Sequence, residues 1–287
     1  MIGNVDFSAL STSALPTRVS EVVKAAAIEQ LKEIKGLRQY CLVDRSQEGE
    51  GVQKYIYWVY DDLTAAYDRK ELEDFKYDTV GATQSTVDFV EIAKGFQISW
   101  ESDNLKRLPI RAAQTRAAVR EVQDREDSKI VAALIASSAV TSSVTATGVL
   151  SGTTADPVKD IAQAKRKIKA LGYLPDQLWI EEENLEELLA IIASNDWQQM
   201  TARAIESGVI DMFMKLKIVS LPSTKLTHGT AMVIKSGADG CYQLGVAKDL
   251  TTKMFDDEEN HSTKVQVFET VAPAVVRPDA GAKITGW

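Results

Sequence analysis

The sequence predicts an α+β fold, and three observations predict it. LPIRAAQTRAAVREVQDREDSKIVAALIASS, from Leu108 to Ser138, reads as one unbroken helix, about 45 Å long at 1.5 Å per residue. Two stretches dense in β-branched and aromatic residues precede it. Behind it, helices alternate with short apolar strands before the chain becomes mainly β.

Taken in order, residues 1 to about 15, opening with MIGNVDFSALSTS, are small and polar without a period and are expected to be a flexible arm. A short amphipathic helix follows in ALPTRVSEVVKAAAIEQLKEIKGL, starting near Pro16 or Thr17 and ending at Gly36. Its apolar residues Val19, Val22, Val23, Ala26 and Ile34 fall on or near one side. The sequence leaves open whether that helix docks on a neighbour or packs on its own domain.

Residues 51–104 contain VQKYIYWVY and STVDFVEIAKGFQISW, two strand patterns that predict a long hairpin. Between them lies DDLTAAYDRKELEDFKYDTVGAT, far longer than the roughly 2–5 residues of an ordinary hairpin loop. Tyr67, Phe75 and Tyr77 make this loop too adhesive for a plain linker.

Residues 105–155 hold the long helix and a Ser, Thr and Gly-rich linker. Pro109 is tolerated only in a first turn, and no further Pro or Gly occurs until Gly148. Ala112, Thr115, Val119, Val122, Ile130 and Ala133 form a narrow stripe interrupted only by Glu126. Glu121 precedes Arg125 by one helical turn, and Arg111, Arg116 and Arg120 make a basic edge.

In residues 156–250, Asp156 and Pro157 supply a cap and first turn for a helix to about Leu171, closed by Gly172. DQLWIEE reads as a short strand, and Asn184 is placed to cap NLEELLAIIAS. KIVSLP, TAMVIKS and GCYQLGV read as short strands, with Gly237–Gly240 a hairpin turn between the last two. Residues 251–287, including KVQVFETVAPAVVRPDAGAKITGW, add one or two closing strands.

Composition narrows the function classes. The chain of 287 residues is 45% hydrophobic and 26% charged, enough for one large domain or two ordinary ones. No membrane span or secretion signal is apparent, which predicts a soluble protein made inside the cell. Cys41 and Cys241 indicate neither a disulfide scaffold nor a cysteine-rich zinc site, though a single bridge between them stays open. A net charge of −8 excludes wrapping of nucleic acid by the whole surface.

Catalytic signatures are missing as well. His228 and His261 stand in polar turns without paired-ligand spacing, so surface roles are expected and no metal site. No GxSxG elbow, phosphate-binding loop or dinucleotide fingerprint occurs. The acidic runs Glu181–Glu187 and Asp256–Glu259 are expected to be solvated faces. Lys165–Lys169, KRKIK, is the best candidate for touching polyanions, on a helix with Ile161, Ile168 and Leu171 facing inward. No catalytic residue, cofactor or metal is expected, and the surface features point to self-association.

The order of elements resembles the major capsid proteins of tailed viruses, the Hong Kong 97 capsid fold, which encapsulin shells share. The resemblance covers nearly the whole chain and rests on GFQISWESDN before the long helix, REVQDREDSKIVAAL within it, and GVIDMFMKLKIVSLPST followed by TAMVIKSG. It implies an N-terminal arm and short helix (1–50), an E-loop hairpin (51–104), a spine helix and linker of the peripheral domain (105–155), an α/β axial domain (156–250) and closing strands returning to the peripheral domain (251–287). The implied function is self-assembly as hexamers and pentamers into an icosahedral virion shell enclosing double-stranded DNA, which the shell touches loosely. Host cytoplasm would be the place of assembly, with scaffolding, portal or decoration proteins supplied separately and no membrane involved. Tyr67, Arg69, Lys70, Phe75 and Tyr77 would then form the subunit interface at the E-loop tip. Arg111, Arg116 and Arg120 would face a neighbour or the interior. An encapsulin-like compartment holding a cargo enzyme is the alternative, and a soluble α/β enzyme or ligand-binding protein is the rival of a different class.

Overall fold

The computed structural model describes residues 36–49, 52–60, 81–100, 108–136, 140–152, 154–194 and 212–287. The arm and helix expected before Gly36, and the aromatic loop between the hairpin strands, lie outside the described residues. Helix and sheet are mixed, as the sequence predicts.

The long helix, α1, spans Leu108–Ile135, 28 residues, or about 42 Å. It ends short of Ser138, where alanine-rich sequence gives way to Ser, Val and Thr, residues that favour turns and strands. Its stripe of Thr115, Val119, Val122 and Ile130 is buried, joined by Val131 and Leu134. That stripe packs on a four-stranded sheet of order β1-β10-β11-β4. Here β1 is Leu42–Asp44, β4 Val90–Ser99, β10 Tyr242–Asp257 and β11 Ser262–Val275.

GCYQLGV, expected as a short strand, supplies from Tyr242 onward the beginning of the 16-residue β10. Its polar second half, read alone, lacks a strand signal; pairing with β11 along the whole length, with irregularities between Val246 and Thr251, holds it extended.

A second sheet of six strands has the order β5-β12-β9-β6-β8-β7. Its members are β5 (Ser142–Thr145), β6 (Gln177–Glu181), β7 (Met212–Phe213), β8 (Leu216–Leu221), β9 (Thr230–Ile234) and β12 (Gly281–Thr285). Strands β5 and β12 come from outside residues 156–250, because β12 pairs with both β5 and β9. Gly237–Gly240 is therefore not a hairpin turn within one sheet. It carries the chain from β9 in the six-stranded sheet to β10 in the four-stranded one, with Gly237 at φ 85°, a conformation that favours glycine.

Helices α2 (Pro157–Ala170) and α3 (Glu182–Ser194) accompany this sheet. The Asp156 side chain accepts the Lys159 N–H with Pro157 in the first turn, as predicted. Ile161 and Ile168 are buried, but Leu171 lies just beyond the helix and is exposed, against expectation. Asn184 does not cap α3. Strand β6 runs directly into the helix, which leaves the Glu181 carboxylate ahead of the first turn to accept the Asn184 N–H at 3.0 Å. Buried Asp160 accepts from the Thr147 N–H and hydroxyl and the Trp287 indole, satisfying both its oxygens.

Among the described residues no helix is long and apolar enough to cross a membrane. Both cysteines are free, and burial pushes their thiols up to about 12, so neither is a ready nucleophile.

Candidate functional site

Strands β2 (Lys54–Tyr60) and β3 (Ala82–Asp88) pair only with each other and form a separate two-stranded hairpin. Its root is locked. Tyr55 is 1% exposed and packs with Ala272 and Ala274, and its hydroxyl donates to Asp44 at 2.8 Å. The Gln47 side chain donates to the Ile56 carbonyl and accepts the Ile56 N–H, imitating one rung of a third strand. Beyond the root, Ile56 and Trp58 are 40% and 49% exposed. An open cleft of about 1110 Å³ lies between this strand and Tyr173, Arg277 and Pro278.

Gly245 lies under the Tyr55 ring, and a Cβ there would stand 2.6 Å from it. The Tyr55 ring would have to shift to admit it, so Gly245→Ala is expected to cost about 1–3 kcal/mol and to loosen the hairpin. Thermal unfolding together with limited proteolysis between residues 60 and 82 checks both effects.

A second feature joins four parts of the chain through buried charge. Arg38, in the 3-10 turn Leu37–Tyr40, donates to Glu126 of α1 at 2.9 Å and to Glu269 of β11 at 3.2 Å. Asp249 of β10 lies 3.6 Å away and also pairs with Arg45. Next to it, Asp127 accepts the Leu37 N–H at 2.8 Å and meets Lys225 from the turn between β8 and β9.

Glu126 and Glu269 are almost fully buried and stand against each other. Burial first, and then the Glu126 charge, push the Glu269 carboxyl up to about 8, with Arg38 opposing. Glu126 is likewise raised by burial. Glu269 Oε1 is buried without a hydrogen-bond partner, and a hydrogen bond between the Glu126 and Glu269 side chains requires that the pair share a proton.

The residues singled out from sequence fall in different places. Tyr67, Arg69, Lys70, Phe75 and Tyr77 lie outside the described residues. Of the expected basic edge, Arg120 is exposed and Arg116 half-buried. Arg111 does not face outward: it is 5% exposed, close enough to feel the Asp256 charge, because the first turns of α1 are covered by the end of the β10–β11 hairpin. In KRKIK, Lys165 and Lys167 donate to the Met214 and Ser143 carbonyls, which occupies two of its ammonium groups. Glu181 is buried rather than part of a solvated acidic face, held there by its hydrogen bond to the α3 backbone.

Sequence reading missed Arg38, Asp249, Glu269 and the role of Glu126. Two signals existed: Glu126 breaks the apolar stripe of α1, and Glu269 stays in two-residue phase with Val265, Val267 and Val271.

The family described as phage capsid protein matches residues 82–284. In three dimensions the chain is similar to the virus-like particle from Pyrococcus furiosus, with a TM-score of 0.65 and 14% identity over 92% of this chain and 98% of that one. It is similar to the capsid of Myoviridae phage XM1, with a TM-score of 0.59 and 12% identity over 86% and 90% of the two chains. Likeness to the cyanophage P-SCSP1u capsid has a TM-score of 0.59 at 11% identity, over 88% of each chain. No curated sequence matches.

Proposed function

This chain belongs to the phage capsid protein family, and on that premise we propose that it is a major capsid protein whose copies assemble as hexamers and pentamers into an icosahedral shell around double-stranded DNA. The family is structural, which sets aside the reading as a soluble enzyme. The observation that carries the proposal is the β2–β3 hairpin, pinned at its root by Tyr55 yet joined to neither larger sheet. A lone two-stranded hairpin is marginal in water, and exposed Ile56 and Trp58 need cover from outside the subunit. In this reading Tyr67, Arg69, Lys70, Phe75 and Tyr77 lie across an adjacent copy, combining aromatic burial with charge pairing.

Contact with DNA is loose, since a chain of net charge −8 has little general attraction for phosphate. In this reading Arg116 and Arg120 are the spine residues turned toward a neighbour or the interior. Scaffolding, portal or decoration proteins come from other chains, and the shell matures as a virion in the host cytoplasm.

Deleting residues 65–76 is expected to leave a folded subunit, judged by circular dichroism, that forms no closed shells under the electron microscope. Normal shells from the deletion would overturn the proposal. An encapsulin-like compartment around a cargo enzyme is the second reading, favoured by the likeness to the Pyrococcus furiosus particle. The nucleic-acid content of purified particles separates them: DNA-filled particles support the first, and protein-filled particles without DNA the second.

A further inference from the structure

Three side chains from two distant parts of the chain converge where β6 runs into α3. Glu181, at the end of β6, is 2% exposed; Glu183 lies in the first turn of α3, and His228 in the turn before β9. His228 Nδ1 stands 3.3 Å from Glu181 Oε2 and 3.7 Å from Glu183 Oε2. All three ligand atoms fall within 4.8 Å of one another. Ligands held at about 2.0–2.1 Å by a tetrahedral zinc ion stand roughly 3.3 Å apart. We propose that Glu181, Glu183 and His228 bind a divalent transition-metal ion of the zinc type, with water completing its coordination.

A plain histidine–carboxylate ion pair would need only two of these groups, and two further observations favour a ligand. Glu181 is oriented in advance, because its Oε2 accepts the Asn184 N–H at 3.0 Å. Metal-bound carboxylates are normally fixed by such a second hydrogen bond. Asn184 itself is fully buried, one residue beyond Glu183, and neither its Oδ1 nor its Nδ2 has a partner. Glu187 Oε2, one turn further along the helix, is also buried without a donor. Buried polar atoms without partners, in the same two helical turns as Glu183, call for an ordered water or an ion.

The donor set selects the ion. One imidazole nitrogen with two carboxylates suits zinc and its neighbours, whereas magnesium and calcium prefer larger all-oxygen sets. Spacing could not reveal the site, since His228 follows Glu181 by 47 residues. A bound ion would tie the turn entering β9 to the start of α3, bracing the end of two adjacent strands, β6 and β9.

The test is a zinc titration of the purified full-length chain by calorimetry, alongside magnesium and the variants His228→Ala and Glu183→Gln. Both substituted side chains are largely exposed, so the fold should persist, and circular dichroism verifies it. Wild type is expected to bind about one zinc per subunit and each variant at least about tenfold more weakly, with no magnesium binding at matched concentration. Melting with and without zinc is the second readout, the midpoint rising for wild type alone. Equal zinc affinity, or an equal rise in melting, for wild type and both variants overturns the site.

Discussion

Replacing Arg38 with alanine is expected to destabilise the subunit by about 3–5 kcal/mol, the usual consequence of leaving buried carboxylates without their counter-charge. Arg38 reaches Glu126 at 2.9 Å and Glu269 at 3.2 Å, and the two carboxylate side chains are 5% and 1% exposed. Neither has another cation among the described ion pairs, so the variant strands both unless they take up protons. The loss should therefore be greater at pH 8 than at pH 5. Arg38→Lys should recover only part of it, because a single ammonium cannot match the planar fork that serves two carboxylates at once. Urea unfolding at both pH values measures the loss, and amide exchange over residues 37–44 locates it. An unchanged midpoint at pH 8 would mean that the clamp carries no stability.

Glu269→Gln is expected to flatten the pH dependence of that clamp. The Glu269 carboxyl moves from an ordinary value of 4.5 to about 8 in the folded subunit. Between those limits the native state retains a proton that the unfolded chain has released, so protons are lost on unfolding and stability falls as pH rises. The slope for one proton is at most about 1.4 kcal/mol per pH unit. Glutamine keeps the shape and a donor toward Glu126 but does not titrate. The variant should be flatter than wild type from about pH 4.5 to 8 and more stable than it at pH 8. Glu126 and Asp127 are also raised by burial and contribute in the same direction. Parallel profiles for the two proteins would remove the shared proton from the account.

Much of the fold was legible because local rules and tertiary context agree. Pro109 opens α1, Asp156 and Pro157 open α2, and both helices form within a few residues of the predicted limits. VQKYIYWVY and STVDFVEIAKGFQISW form strands, although the second stretch divides: its first part pairs with β2 and its remainder with β11. Agreement ended where partners are remote. Arg38 lies 88 residues from Glu126 and 231 from Glu269, and it falls in a segment that reads locally as an arm. Arg111 looked like part of an exposed basic edge because helical periodicity cannot show that the β10–β11 hairpin covers that end of α1.

By itself, the sequence determined the period of each element, the places where helices begin, and the lack of a recognisable catalytic motif. Those properties depend on residues a few positions apart, through backbone sterics, capping and alternation of side chains. Tertiary structure alone decided that Glu126 and Glu269 share one counter-ion, that Gly245 makes room for Tyr55, and that β5 and β12 enter the six-stranded sheet beside β9. Each is set by desolvation or packing between segments distant in the chain, where burial turns an ordinary charge into a clamp and a missing methyl group into the seat of a hairpin.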